Sequence, residues 1–155
     1  MHVEAVDAKG AVYHLPVDKK GFPGEEYTIA ADTLAYQDMG IALNDPAFKG
    51  LQRDGVPFGD RVFRMAYFDP QGRMTLQQWN TKSLGTDYRF GPRETKLETC
   101  TFRLPDRVAL GELKVTAVLY YQKLVKPAAD FLGVPPDEAE PIEVNRHSTT
   151  VTVVD

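Results

Sequence analysis

Short apolar stretches separated by turn residues organise this chain. In residues 62–68 Phe63, Met65 and Tyr67 fall on one side of an extended segment and Arg64 on the other. Asp69-Pro70-Gln71-Gly72 follows, with Pro and Gly where a type I turn prefers them, and residues 74–79 are the expected return strand. A second hairpin is expected at the start, where residues 2–6 and 11–15 flank the turn Asp7-Ala8-Lys9-Gly10. Residues 95–104 and 114–122 read as two more strands. The latter is apolar on both faces, with Val115, Ala117, Leu119 and Tyr121 on one and Val118 and Tyr120 on the other, which marks a central strand. Residues 148–154 read as a closing strand with Val151 and Val153 on one face.

Helical signals are few. Asn44-Asp45-Pro46-Ala47-Phe48 carries a capping residue and a proline suited to one turn. Residues 126–132 predict one or two turns, begun by Pro127 and stopped by Gly133, with Pro135-Pro136 barring a return. Residues 32–43 fit a helix or an irregular loop, and the acidic stretch 135–143 reads as a solvated loop. Twelve glycines and eleven prolines stand mostly between apolar stretches. The expected fold is all-β, an immunoglobulin-like antiparallel β-sandwich with one or two short helices in loops; a barrel is the alternative. Residues 1–155 are read as a single domain with a long excursion at about 19–60. Long loops carry function or are pinned by their own apolar residues, here Tyr27, Tyr36, Phe48 and Phe58.

Composition narrows the function. A chain of 155 residues, 43% hydrophobic, is long enough to bury a core. A net charge of −4 disfavours a generic nucleic-acid or anionic-membrane surface. The longest uncharged apolar run, Ala117 to Tyr121, falls far short of the roughly 20 residues of a membrane span. Charged residues begin at Glu4 and Asp7, so no signal-peptide pattern is visible. A single cysteine, Cys100, excludes an internal disulfide and a cysteine-rich zinc site.

Catalytic motifs are absent: no G-x-S-x-G, Walker loop, G-x-G-x-x-G, H-E-x-x-H, EF-hand loop or C-x-x-C-H. Cys100 reads as a buried thiol packing as a small hydrophobe. His147 and Ser148 are adjacent in an extended segment, so their side chains point apart and form no triad. His14, between Tyr13 and Leu15, reads as an edge or half-buried residue, and His2 as a terminal one. Each histidine is a candidate to donate a ligand to a metal or haem iron in a neighbouring domain, with His14 and His147 ahead of His2. Glu94 and Glu98 bracket Lys96 on a solvated face, and Arg89 and Arg93 flank Gly91-Pro92 as partners for Glu94. Trp79, Tyr67, Tyr88 and Phe90 are expected in the core, with a sugar-stacking platform as the alternative. No catalytic or cofactor-binding residue is assigned, and the chain is read as no enzyme.

Several segments resemble a family in order. His2-Val3-Glu4-Ala5-Val6-Asp7-Ala8-Lys9-Gly10-Ala11-Val12 resembles a strand–turn–strand of multihaem c-type cytochromes, in a β-sandwich domain downstream of their haem-binding region. Pro92-Arg93-Glu94-Thr95 with Thr101-Phe102-Arg103-Leu104-Pro105 is similar to the family's Pro-x-Glu-Thr segment and Phe-containing strand. Val115-Thr116-Ala117-Val118-Leu119-Tyr120-Tyr121 is similar to its V-x-A-x-L-x-Y-[RK] strand, although Gln122-Lys123 follows the tyrosine, so the family's basic position is shifted or absent. The short helix ending at Phe131-Leu132-Gly133 and the closing strand also fit. The likeness is strongest over residues 2–15 and 92–154. The haem motifs, and the Gly-His-x-Phe-Pro-Thr-Gly-like stretch before the first strand, are absent from this sequence.

The resemblance implies an accessory domain of an electron-transfer protein that packs on a haem domain, docks a redox partner or dimerises. It implies a periplasmic or extracellular location. Haem c would belong to the parent protein, with no cofactor in this chain. The partners expected are a haem-binding domain of the same or another chain, or a second copy of this one, with no nucleic acid and no membrane span. A carbohydrate or cell-surface ligand-binding module is the alternative.

Overall fold

The computed structural model describes residues 1–15, 60–72, 78–87, 89–100, 102–124, 129 and 132–154. The expected turn at residues 44–48, the ambiguous stretch 32–43, residues 74–77 of the expected return strand, most of the expected helix 126–132, Tyr88 and nearly all of the excursion lie outside them.

The described strands form antiparallel sheets. The larger has four strands in the order β2-β1-β5-β6, namely Val12–His14, His2–Val6, Gly111–Tyr121 and Ile142–Val153. The smaller pairs β3, Met65–Phe68, with β4, Ser83–Asp87. A 3-10 turn, Gln78–Asn80, and one helical turn, α1 at Pro136–Ala139, complete the regular elements among the described residues.

The opening hairpin forms as its sequence requires. The Gly10 N–H donates to the Asp7 carbonyl at 2.9 Å, and Gly10 takes φ +82°, which a glycine adopts without a Cβ clash. The register sets Glu4 opposite His14, Ala5 opposite Tyr13 and Val6 opposite Val12. β5 is internal, with β1 on one side and β6 on the other. Leu113 is buried on one face and Thr116 and Val118 on the other, while Val115, Ala117 and Leu119 are half-buried and Tyr120 and Tyr121, expected to be covered, are exposed. Ala5, Tyr13 and Leu113 form one core cluster, packed against Leu15, Leu104, Val108, Val115 and Val153.

Four expectations are corrected. The return strand after Asp69–Gly72 is Ser83–Asp87; Gln78 and Trp79 of the expected 74–79 strand lie in the 3-10 turn. Residues 94–99 form no strand, and Cys100 makes only an isolated bridge. The closing strand begins at Ile142, six residues before the expected start, because every residue from there pairs along β5 apart from one bulge. The acidic stretch 135–143, expected as a solvated loop, holds a helical turn at Pro136–Ala139 and the first residues of β6. Pro136 occupies a first-turn position that needs no N–H donor, and Asp137 and Glu138 suit the positive end of the turn. Just before it, Gly133 at φ +65° and the Val134 N–H donating to the Ala129 carbonyl at 3.0 Å close a helix end as the sequence suggests.

Candidate functional site

Strand pairing places the site. Glu4 sits directly across from His14, so alternation brings His2 onto the same face, one diagonal step away. The His2 and His14 rings stack with centroids 4.7 Å apart and planes 12° from parallel. Asp60 enters from a distant segment. Reciprocal backbone bonds tie that segment to the chain start: Met1 N donates to the Arg61 carbonyl at 2.7 Å, and the Arg61 N–H to the Met1 carbonyl at 3.0 Å. Arg61 is held in turn by Glu98, with Nε 2.8 Å from Oε2 and both side chains less than a tenth exposed.

Asp60 is 8% exposed, and both imidazoles converge on one of its oxygens. His2 Nδ1 lies 2.8 Å from Oδ1, and His14 Nε2 lies 2.7 Å from the same atom. A carboxylate only accepts, so these two ring nitrogens donate to it. His2 Nε2 lies 3.8 Å from Glu4 Oε2. Among the described residues, His2, His14 and Asp60 are the His/Cys/Asp/Glu group whose donor atoms lie within 4.8 Å of one another. Chemically, the arrangement offers two imidazole nitrogens and one carboxylate oxygen that can hold a proton or a metal.

The sequence put His14 and His147 ahead of His2. The structure joins His14 to His2 instead. His147 lies exposed on β6 opposite Ala117, on the other face of the sheet from His2 and His14. His2 is no loose terminus, for β5 pairs it with Val118. Asp60 carried no local signal, because its role depends on a contact made across more than forty residues of chain. The adjacent Ser148 hydroxyl lies 3.0 Å from Thr116 Oγ1, which is consistent with its pointing away from His147.

Other candidates resolve into structural pairs. Glu98 was expected on a solvated face and is instead the buried partner of Arg61. Glu94 meets Lys96 at 2.6 Å and accepts from the Gly91 N–H at 2.6 Å; these contacts lower its pKa, Lys96 first. The expected pairing of Arg89 with Glu94 is not made. Arg89 binds Asp87 through Nε and Nη2 at 2.8 and 2.7 Å, an exposed bidentate pair that lowers the Asp87 pKa to about 2. The Cys100 thiol is free and half-buried; burial first, then the Glu98 charge, pushes its pKa up, against the thiolate a nucleophile needs. It borders an open cleft of about 370 Å³ that Val3, Phe63, Phe90, Ala117 and Leu119 also line. Of the aromatic set, Tyr67 is half-buried, while Phe90, which packs on Phe63 at 4.6 Å, is 50% exposed and Trp79 is 86% exposed, neither of them in the core.

No helix among the described residues is long and apolar enough to cross a membrane. No protein-family model, curated protein or solved structure matches the chain.

Proposed function

We propose that this chain is a non-catalytic interaction domain of a multihaem cytochrome-type electron-transfer protein, with its two sheets belonging to an immunoglobulin-like sandwich. It packs on a haem-bearing domain of the same or another chain, in a periplasmic or extracellular setting. The observation that carries the reading is β6. Eleven of its twelve residues are exposed, it pairs with β5 alone among the described strands, and it presents Ile142, Val144 and Val151 to the outside. A long strand of this kind offers backbone groups and apolar side chains to a partner. The segments with the family likeness support it too, since residues 2–15 and 92–154 contain all four strands of the larger sheet.

The test begins with the coding sequence on either side of this chain. A polypeptide bearing C-x-x-C-H motifs, encoded in the same or an adjoining frame, is co-expressed with the chain under conditions that mature haem c. Co-elution of Soret absorbance with the chain, lost in a Val144→Lys/Val151→Lys variant that keeps its far-UV circular dichroism, is the expected result. Absence of such a polypeptide, or separate elution, overturns the proposal. The exposure of Trp79 favours one second reading, a carbohydrate or cell-surface ligand module, because an open indole stacks on sugar faces. That reading expects binding to immobilised glycans that Trp79→Ala abolishes.

A further inference from the structure

We propose that His2, His14 and Asp60 form a binding site for a divalent transition-metal ion of the zinc type, with Glu4 orienting the His2 ring. This goes beyond the interaction reading and does not depend on it.

The donor set points to that class of ion. Two imidazole nitrogens and one carboxylate oxygen suit zinc, cobalt, nickel or copper. Calcium takes six or more oxygens, and a single carboxylate supplies too few. Three protein ligands also leave a position for water or a partner's ligand, as three-ligand zinc sites do. The spacing is close to what is needed. Metal–nitrogen and metal–oxygen bonds of about 2.0–2.2 Å imply ligand atoms roughly 3.4 Å apart in a tetrahedron. The two nitrogen–oxygen separations are 2.8 and 2.7 Å, and all donors fall within 4.8 Å of one another. Side-chain torsions that open the first separations by under about 1 Å admit the ion.

Two further observations separate this from a plain hydrogen-bonded carboxylate. Two stacked rings from neighbouring strands aim at the same Asp60 oxygen, which gathers all three donor atoms around one point. A metal gives both rings a use in one place. Second, the His2 nitrogen facing away from Asp60 is Nε2, and it lies 3.8 Å from Glu4 Oε2. When His2 ligates through Nδ1, its ring proton sits on Nε2, toward that carboxylate. Closing that gap by about 1 Å would give the hydrogen-bonded outer carboxylate that orients metal-bound histidines. The site is also built on supported elements. β1 and β2 hold the histidines in register, while the Met1–Arg61 backbone bonds and the Arg61–Glu98 pair hold the Asp60 segment. An ion here pins the Asp60 segment to the opening hairpin.

The experiment is titration of the full chain, freed of any affinity tag and stripped with a chelator, with Zn²⁺ by calorimetry and with Co²⁺ by visible absorption. The expected result is one ion per chain, a Co²⁺ spectrum of nitrogen and oxygen ligands without a thiolate band, and a melting temperature raised by Zn²⁺. His2→Gln, His14→Gln and Asp60→Asn each weaken binding by at least about 10-fold, Glu4→Gln weakens it less, and His147→Gln leaves it unchanged. Far-UV circular dichroism without metal identifies the variants that remain folded, and the comparison rests on those. The isosteric Asp60→Asn decides it if a histidine variant unfolds. A chain that takes up no ion at one per molecule overturns the proposal. So does binding that survives His14→Gln and Asp60→Asn, or that falls with His147→Gln, or a thiolate–cobalt band implicating Cys100.

Discussion

Asp7 accepts hydrogen bonds from the Lys9 and Ala11 N–H groups at 2.9 Å, from the Tyr13 hydroxyl at 2.9 Å and from the Ala109 N–H at 3.1 Å. The first two shape the turn, and the last reaches across the sheet to the approach to β5. These donors, Ala109 foremost, hold the carboxyl at a pKa of about 2 although its burial opposes them. The folded pKa lies below the ordinary 3.8, so the folded state binds fewer protons between the two values. The stability Asp7 supplies is therefore complete above about pH 4 and is lost as pH falls toward 2. Asp7→Asn is expected to lower the urea midpoint at pH 6, with the gap from wild type narrowing steadily in acid. A gap that stays constant with pH would refute this account. The turn itself was legible, because an Asp-x-x-Gly run carries its own conformational preferences. The Ala109 contact was not, since a separation of 102 residues leaves no trace in local pattern.

β5 and β6 are neighbours with different burdens. Leu113 in β5 is 4% exposed, and Val144 in β6 is 58% exposed at the bulge. Leu113→Ala is expected to cost about 2–5 kcal/mol in urea unfolding, because it leaves a cavity in the core. Val144→Ala is expected to change stability by no more than about 0.5 kcal/mol. Equal costs would show that β6 is covered in the free protein. Gly133 gives a separate test of helix closure. Its φ is +65°, and a methyl group added there would meet nothing within 4 Å, so Gly133→Ala costs about 1 kcal/mol through backbone conformation alone. At this scale the two-faced apolar run of β5 named a central strand correctly. The return partner of β3 was misplaced at its end: Gln78 and Trp79 lie in a 3-10 turn, and the strand that pairs with β3 is Ser83–Asp87.

At the scale of the molecule, the buried Arg61–Glu98 ion pair links distant segments. Arg61 and Glu98 are 37 residues apart in sequence and less than a tenth exposed, beside a backbone tie to Met1. Glu98→Gln is expected to destabilise by about 3–5 kcal/mol, because it removes the carboxylate charge that lies 2.8 Å from the buried Arg61 guanidinium. Arg61→Met/Glu98→Leu recovers much of that loss, since apolar replacement removes the desolvation cost of both charges. Chemical denaturation of the two single variants and the double variant completes the cycle; a double variant as unstable as the sum of the singles would contradict this reading. The sequence by itself determined the antiparallel all-β class, the opening hairpin and its turn, the centrality of β5 and the helix stop at Gly133. These follow from side-chain periodicity and from the conformations glycine and proline allow, which act within a few residues. Only the tertiary structure decided that β6 begins at Ile142, that Glu98 is buried against Arg61, and that His2 joins His14 around Asp60 while His147 stands apart. Those outcomes depend on which strands lie side by side and in what register. Pairing energies summed across the sheet set that arrangement, and no single segment encodes it.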